Sequence, residues 1–240
     1  MHRKPLLIQT GTPPDPIRSA LGDLPDWFAA ALGLPMDGLE VVRAFEGEMP
    51  PEPAQGRPAI LTGSWSMVTD RAPWSESLAA WIRAAMAVEM PLFGVCYGHQ
   101  LIAHALGGTV GYHPDGREIG SQAIRLTPAG LDDPALEPAG TEFTAQLTHL
   151  QTVLTPPPGA AVLAGSDHDP HQVLRYGPNA LSTQFHPEFT PAIMAGIIDA
   201  RAEALAQEGR DPGALRDAVS PAPFPQNMLR DFVARHSQRS

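Results

Sequence analysis

The segment Phe93-Gly94-Val95-Cys96-Tyr97-Gly98-His99-Gln100 joins an apolar run, Leu92-Phe93-Gly94-Val95, to a helical one over 100–106, with almost no loop between them. Gly107-Gly108 then stops the helix. A buried strand that runs straight into a helix must turn within one or two residues. The residue at the turn takes a strained backbone, and its neighbours must be small. Here Gly94 and Gly98 flank the pair Cys96-Tyr97, so the cysteine sits at the turn. The turn lifts the sulfur above the sheet edge, and the positive end of the helix dipole faces it. A lone cysteine is ordinarily a buried, inert side chain. The glycine on each side reverses that reading.

Working outward, Leu6-Leu7-Ile8 and Ala59-Ile60-Leu61-Thr62-Gly63 are short apolar runs ending in turn residues, as buried strands do. Residues 39–45 alternate like a strand, and 46–58 form a Pro-, Glu- and Gly-rich loop. Residues 16–33 have helical spacing, with Ile17, Leu21, Leu24, Trp27 and Phe28 inward and an interruption at Pro25. Residues 78–88 are amphipathic through Leu78, Trp81, Ile82 and Ala85. The resulting βαβα alternation predicts a parallel sheet with helices on both faces. Beyond residue 109 the pattern changes to strand-like runs at 121–126, 161–164, 172–176 and 180–185, separated by Pro and Gly, which predict meander strands added to the central sheet. A helix is expected over 191–206, a Pro-containing connector over 209–225 and a short helix over 226–235.

The 240 residues carry 43% hydrophobic and 18% charged side chains, a globular composition that fits one domain. That domain is expected to have its core over about 5–206 and a C-terminal extension over 207–240. The net charge of −10 repels phosphate backbones and anionic membranes, so nucleic acid and membrane partners are not expected. One cysteine allows no intramolecular disulfide. The N-terminal apolar run is too short for a signal peptide, and no stretch reaches the ~18 apolar residues of a membrane helix. The expected compartment is the cytoplasm.

A thiolate nucleophile needs a base, and the base an orienting group. Gln184-Phe185-His186-Pro187-Glu188-Phe189 supplies both. His186 follows a predicted strand, Pro187 fixes the backbone, and Glu188 can reach back to hold the imidazole tautomer. His168 and the nearby His171 have no Cys or His partner that would complete a metal site, so they read as polar surface. The glycines at 107, 108 and 111 follow a helix instead of opening one and make no dinucleotide fingerprint.

Gly94-Val95-Cys96-Tyr97-Gly98-His99-Gln100 together with Phe185-His186-Pro187-Glu188 resembles the two signatures of class I glutamine amidotransferases, most closely GMP synthase-type domains and their stand-alone relatives. The resemblance covers roughly residues 5 to 200. It implies a flavodoxin-like three-layer α/β/α sandwich with a central, mostly parallel sheet and a site at the carboxyl ends of the strands. It implies hydrolysis of the glutamine side-chain amide through a γ-glutamyl thioester on Cys96. His186 would protonate the leaving ammonia and activate water, and Glu188 would orient His186. The N–H of Tyr97 would form half of an oxyanion hole, and Gln100 would help hold glutamine. Gly63-Ser64-Trp65 falls where the family has Gly-Gly-Pro, the source of the second oxyanion donor. Glu118, in Gly116-Arg117-Glu118-Ile119-Gly120, would contact the α-amino group. His149 would line the glutamine pocket, although Leu150 and Gln151 depart from the family's Ser-His-Gly-Asp-x-Val pattern. His99 stands where GMP synthases have Met.

The resemblance implies no cofactor and no metal. It implies glutamine or a γ-glutamyl compound as substrate. It leaves the ammonia acceptor either to an unlinked, separate synthetase subunit or to no partner, since no Ser-Gly-Gly-x-Asp phosphate loop occurs in the chain. Two alternatives stay open: a γ-glutamyl peptidase with the same triad, and a non-catalytic regulatory domain that kept the fold. An α/β-hydrolase also has the elbow, but its acid precedes its histidine in the chain, whereas Glu188 follows His186.

Overall fold

A computed structural model describes residues 3–237. The first half of the chain alternates strand and helix: β1 (Leu6–Gln9), α1 (Asp15–Leu21), α2 (Leu24–Leu32), β2 (Glu40–Arg43), β3 (Ala59–Leu61), α3 (Pro73–Ala87), β4 (Leu92–Val95) and α4 (Tyr97–Ala105). A strand-rich stretch follows: β5 (Thr109–Tyr112), β6 (Glu118–Leu126), the short α5 (Pro128–Leu131), β7 (Glu142–His149), β8 (Gln151–Thr155), β9 (Ala161–Gly165), β10 (Val173–Gly177) and β11 (Ala180–Thr183). Four helices close the chain: α6 (Pro191–Ala200), α7 (Ala202–Gln207), α8 (Pro212–Asp217) and α9 (Pro223–Ser237).

The main sheet has the order β2-β1-β3-β4-β11-β10-β9-β6-β7, and β5 pairs with β8 in a separate ribbon. From β2 through β11 every neighbouring pair is parallel, and from β11 through β7 every pair is antiparallel. Only β10 and β6 therefore run against the other strands, and the sheet is mostly parallel. β1, β3 and β4 are covered on both faces, so they read as apolar runs without alternation. Successive side chains still point to opposite faces. Leu6 and Ile8 join Leu61, Leu92, Leu78, Ile82 and Leu101 under α3 and α4. Leu7 joins Ile60, Phe93, Phe28, Leu229 and Phe232 under α2 and α9. The result is the three-layer α/β/α sandwich. Among the described residues, no helix is long and apolar enough to cross a membrane.

Pro25 does not interrupt a helix; it helps to start one. Asp23 caps α2 with a capping box closed by Asp26, and Pro25 sits in the first turn, where a missing N–H costs nothing. The sequence reading passed over β5, β7, β8 and α8. Residues 207–240, expected as an extension, contain α9, whose Met228, Leu229, Phe232 and Val233 are buried against the sheet. Phe232 packs edge-on against Phe93 of β4, with ring centroids 5.2 Å apart.

Candidate active site

Cys96 is the single residue between β4 and α4. Its backbone has φ 50° and ψ −99°, a positive φ shared among the described non-glycine residues only with Arg71 and Glu89. Such a conformation costs on the order of 1–3 kcal/mol and persists only where its surroundings fix it. They do so here with three backbone bonds. Cys96 N–H donates to the Thr183 carbonyl on β11 at 2.8 Å, Gly98 N–H to the Thr62 carbonyl at 3.1 Å, and Gln100 N–H to the Cys96 carbonyl at 3.0 Å. Both flanking glycines are needed. A Cβ on Gly98 would lie 2.5 Å from the Leu61 carbonyl oxygen, and one on Gly94 2.7 Å from the Gly98 carbonyl oxygen.

β11 lies beside β4, so the chain leaving β11 passes next to Cys96. His186 N–H donates to the Gln146 carbonyl on β7 at 2.9 Å, and the imidazole lies flat on Phe189 at 4.0 Å and 11°. Its Nδ1 donates to Glu188 Oε1 at 2.8 Å, and both side chains are buried. Gly63, just past β3, touches the pair: a Cβ there would lie 2.9 Å from His186 Cε1 and 3.6 Å from Cys96 Cβ. The ends of β3, β4 and β11 thus bring Cys96, His186 and Glu188 together. Burial pushes the imidazole pKa down, but the Glu188 carboxylate and the Cys96 sulfur outweigh it and raise it to about 10.

The other predicted residues divide into two groups. Tyr97 turns its phenol away into the core, stacked on Trp74 and bonded to Ser75 Oγ at 2.6 Å, where burial raises its pKa to about 12. As the first residue of α4 it leaves its N–H without a helical partner. Ser64 Oγ donates to the Thr10 carbonyl at 2.8 Å, which fixes the turn after β3. Gln100 Nε2 donates to the Gln151 carbonyl at 2.6 Å and to Gln184 Oε1 at 2.9 Å. Ser64, Tyr97, Gln100 and His149 line a narrow slot with Cys96.

Glu118 is buried but stands outside the slot wall. The β6–β7 register sets Glu118 opposite His149. His149 Nε2 meets Glu118 Oε2 at 2.9 Å, Gln172 Nε2 donates to the same oxygen at 2.7 Å, and Ser166 Oγ donates to Oε1 at 2.6 Å. Glu118, His149 and Asp169 bring ligand atoms within 4.8 Å of one another. Asp169 accepts from Thr152 Oγ1 and from the His171 N–H. Hydrogen bonds therefore account for this cluster. His99 is a core residue, bonded through Nδ1 to Ser182 Oγ at 2.7 Å, and burial lowers its pKa to about 3. His168 stacks on His113, and His171 Nδ1 donates to the Val153 carbonyl at 2.6 Å.

The slot also holds Trp65 and Thr148, which lie in the two marked segments without a role of their own, and Met67 and Arg201, which the sequence did not mark. Thr148 had a signal: Thr144, Gln146 and Thr148 alternate with Phe143, Ala145 and Leu147 in strict strand period. Arg201 had none. Beyond Leu150, which belongs to both walls, the slot adjoins a polar groove of about 710 Å³.

The family model described as glutamine amidotransferase class-I matches residues 59–198, which hold the strands from β3 to β11, the Cys96 turn and the His186–Glu188 turn. The chain belongs to the class I glutamine amidotransferase family. Among amidotransferase relatives, it is 32% identical to a glutamine amidotransferase-like protein of Salmonella typhimurium, over 68% of this chain and 70% of that one. It is 25% identical to gamma-glutamyl peptidase 5 of Arabidopsis thaliana, over 76% of this chain and 74% of that one. It is 35% identical to a glutamine-hydrolyzing GMP synthase of Aeropyrum pernix, over 44% of this chain but only 20% of that longer protein. A glutamine amidotransferase crystal structure from Thermotoga maritima superposes with a TM-score of 0.77 over 99% of this chain and 100% of that one, at 20% identity, and shares the amidotransferase fold.

Proposed function

We propose that the chain hydrolyses a γ-glutamyl amide through a covalent thioester on Cys96. The observation that carries this reading is the strained Cys96 turn set beside a buried His186–Glu188 pair. Cys96 Sγ attacks the side-chain amide carbon. The carbonyl π electrons move onto oxygen, and the N–H groups of Tyr97 and Ser64 donate hydrogen bonds to the resulting oxyanion. The tetrahedral intermediate collapses, the C–N bond breaks, and His186 gives its proton to the departing nitrogen. Ammonia leaves when the substrate is glutamine. Water, deprotonated by His186, then cleaves the thioester to glutamate and restores the thiolate–imidazolium pair. Glu188 holds Nδ1 protonated, so that Nε2 faces the sulfur. Glu118 supports His149 in the slot wall. The relation to GMP synthases favours delivery of ammonia to a separate synthetase subunit in the cytoplasm.

A second reading has its own observation. The groove of about 710 Å³ beside the slot is far larger than a leaving ammonia needs. It suits the leaving amine of a γ-glutamyl peptide, the substrate type named for the Arabidopsis relative. Glutamate release from glutamine and from a γ-glutamyl dipeptide, each beside Cys96→Ala, tests both readings. Cys96→Ala should abolish release and leave the fold intact. Release at wild-type rate from that variant would reject the mechanism, and release from the dipeptide alone would select the peptidase.

A further inference from the structure

Arg201 is the charged group of the slot to which the reaction above gives no task. It follows α6 directly, and it lines the slot both on the Gln100 side and on the His186 side, with Cys96 in each wall. Its Nε is buried and makes no hydrogen bond among the described residues. The neighbouring cations are already committed. Arg117 pairs with Glu208 at 3.1 Å, and Arg210 donates to the Arg117 carbonyl at 2.8 Å. Burial, followed by repulsion from Arg117, pulls the Arg201 pKa below its usual value. A guanidinium nevertheless stays charged in a protein. Cys96 and Glu208 attract this cation, yet neither bonds Nε, and an anionic ligand in the slot relieves the remaining cost of burying it.

We infer that Arg201 is the binding residue for the free α-carboxylate of the substrate's γ-glutamyl group. The inference rests on the γ-glutamyl reading above and narrows its substrate class. Glutamine and γ-glutamyl peptides carry that carboxylate at the opposite end of the glutamyl unit from the scissile amide. A planar guanidinium fork matches a carboxylate, which fixes the substrate's orientation as well as its charge. Glutamine residues inside a peptide chain have an amide in its place and are excluded.

The chain has one cysteine, so alkylation followed by mass reads Cys96 alone. Iodoacetate and iodoacetamide differ only by a carboxylate. The test compares their rates on the full chain, on Arg201→Gln and on Arg201→Lys, beside the KM for glutamine. Arg201→Gln should lower the iodoacetate-to-iodoacetamide ratio and raise KM, each roughly tenfold, with a smaller change in kcat. Arg201→Lys should restore most of the ratio. An equal ratio in wild type and Arg201→Gln overturns the assignment, and so does a Cys96 that neither reagent reaches. An Arg201-dependent ratio without hydrolysis of any γ-glutamyl substrate would instead reject the proposed reaction and leave the cation's placement standing.

Discussion

The parallel strands β2, β1, β3, β4 and β11 and the antiparallel strands β10, β9, β6 and β7 form one sheet but contribute differently to the site. The parallel half ends at turns that place reacting atoms: Gly63 after β3, packed against His186, and the strained, glycine-flanked Cys96 after β4. The antiparallel half offers a wall of polar side chains: Thr148 and His149 at the end of β7, with His149 bonded to Glu118 across from it. His186 joins the halves, since it follows β11 and donates its N–H to Gln146 on β7. One half is built to place an atom, and the other to shape a space. Disturbing the first should therefore lower turnover, while disturbing the second should change which substrate binds.

The sharpest break of that division is Gly98→Val. Its Cβ alone would sit 2.5 Å from the Leu61 carbonyl, so the elbow must open. Expected are a loss of about 3 kcal/mol or more in urea unfolding and no measurable turnover. Retained activity would mean that the turn does not place the nucleophile.

Glu188→Gln comes next. It keeps the shape beside His186 but removes the carboxylate, and turnover should fall roughly 10²- to 10⁴-fold in steady-state assays. It also carries a pH signature. The His186 pKa is raised to about 10 in the folded chain, above the ~6.5 of an unfolded one. The stability gained is full below pH ~6.5 and disappears as pH climbs through about 10. The gap in urea midpoint between wild type and Glu188→Gln should accordingly be widest near pH 6 and narrow towards pH 10.5. A gap that does not change with pH would remove the ion pair from the explanation.

The smallest effect is expected in the antiparallel half. His149→Ala leaves Glu118 with one partner fewer and opens the slot wall. KM should rise several-fold with kcat nearly unchanged, and stability should fall by about 1–3 kcal/mol. A kcat loss matching that of Glu188→Gln would erase the distinction between the halves.

The same division separates what the sequence discloses from what it hides. The parallel half is written locally: an apolar run, a glycine, a cysteine and a helix occupy consecutive positions, and their chemistry follows from their adjacency. The antiparallel wall depends on register. Nothing near Glu118 names His149 as its partner; only the β6–β7 pairing does. β7 was hidden for a related reason. Its alternation carries the strand period, but the polar face of Thr144, Gln146 and Thr148 meets neighbours such as Ser121 and Ser220 that only the folded chain brings to it. Arg201 lies at a helix end with no motif around it. Only the folded chain shows that it stands beside Cys96.

The edge-on contact between Phe232 and Phe93 also bears on how the chain comes to be folded. α9 is among the last described segments, and it covers the strand that leads into the elbow. On a growing chain, the apolar face of β4 stays open until α9 has been synthesised. The long sequence separation makes closure slow compared with the formation of the helices themselves. Until then the chain exposes Leu7, Ile60 and Phe93 to whatever is nearby, an interval in which it is open to aggregation and to chaperone binding.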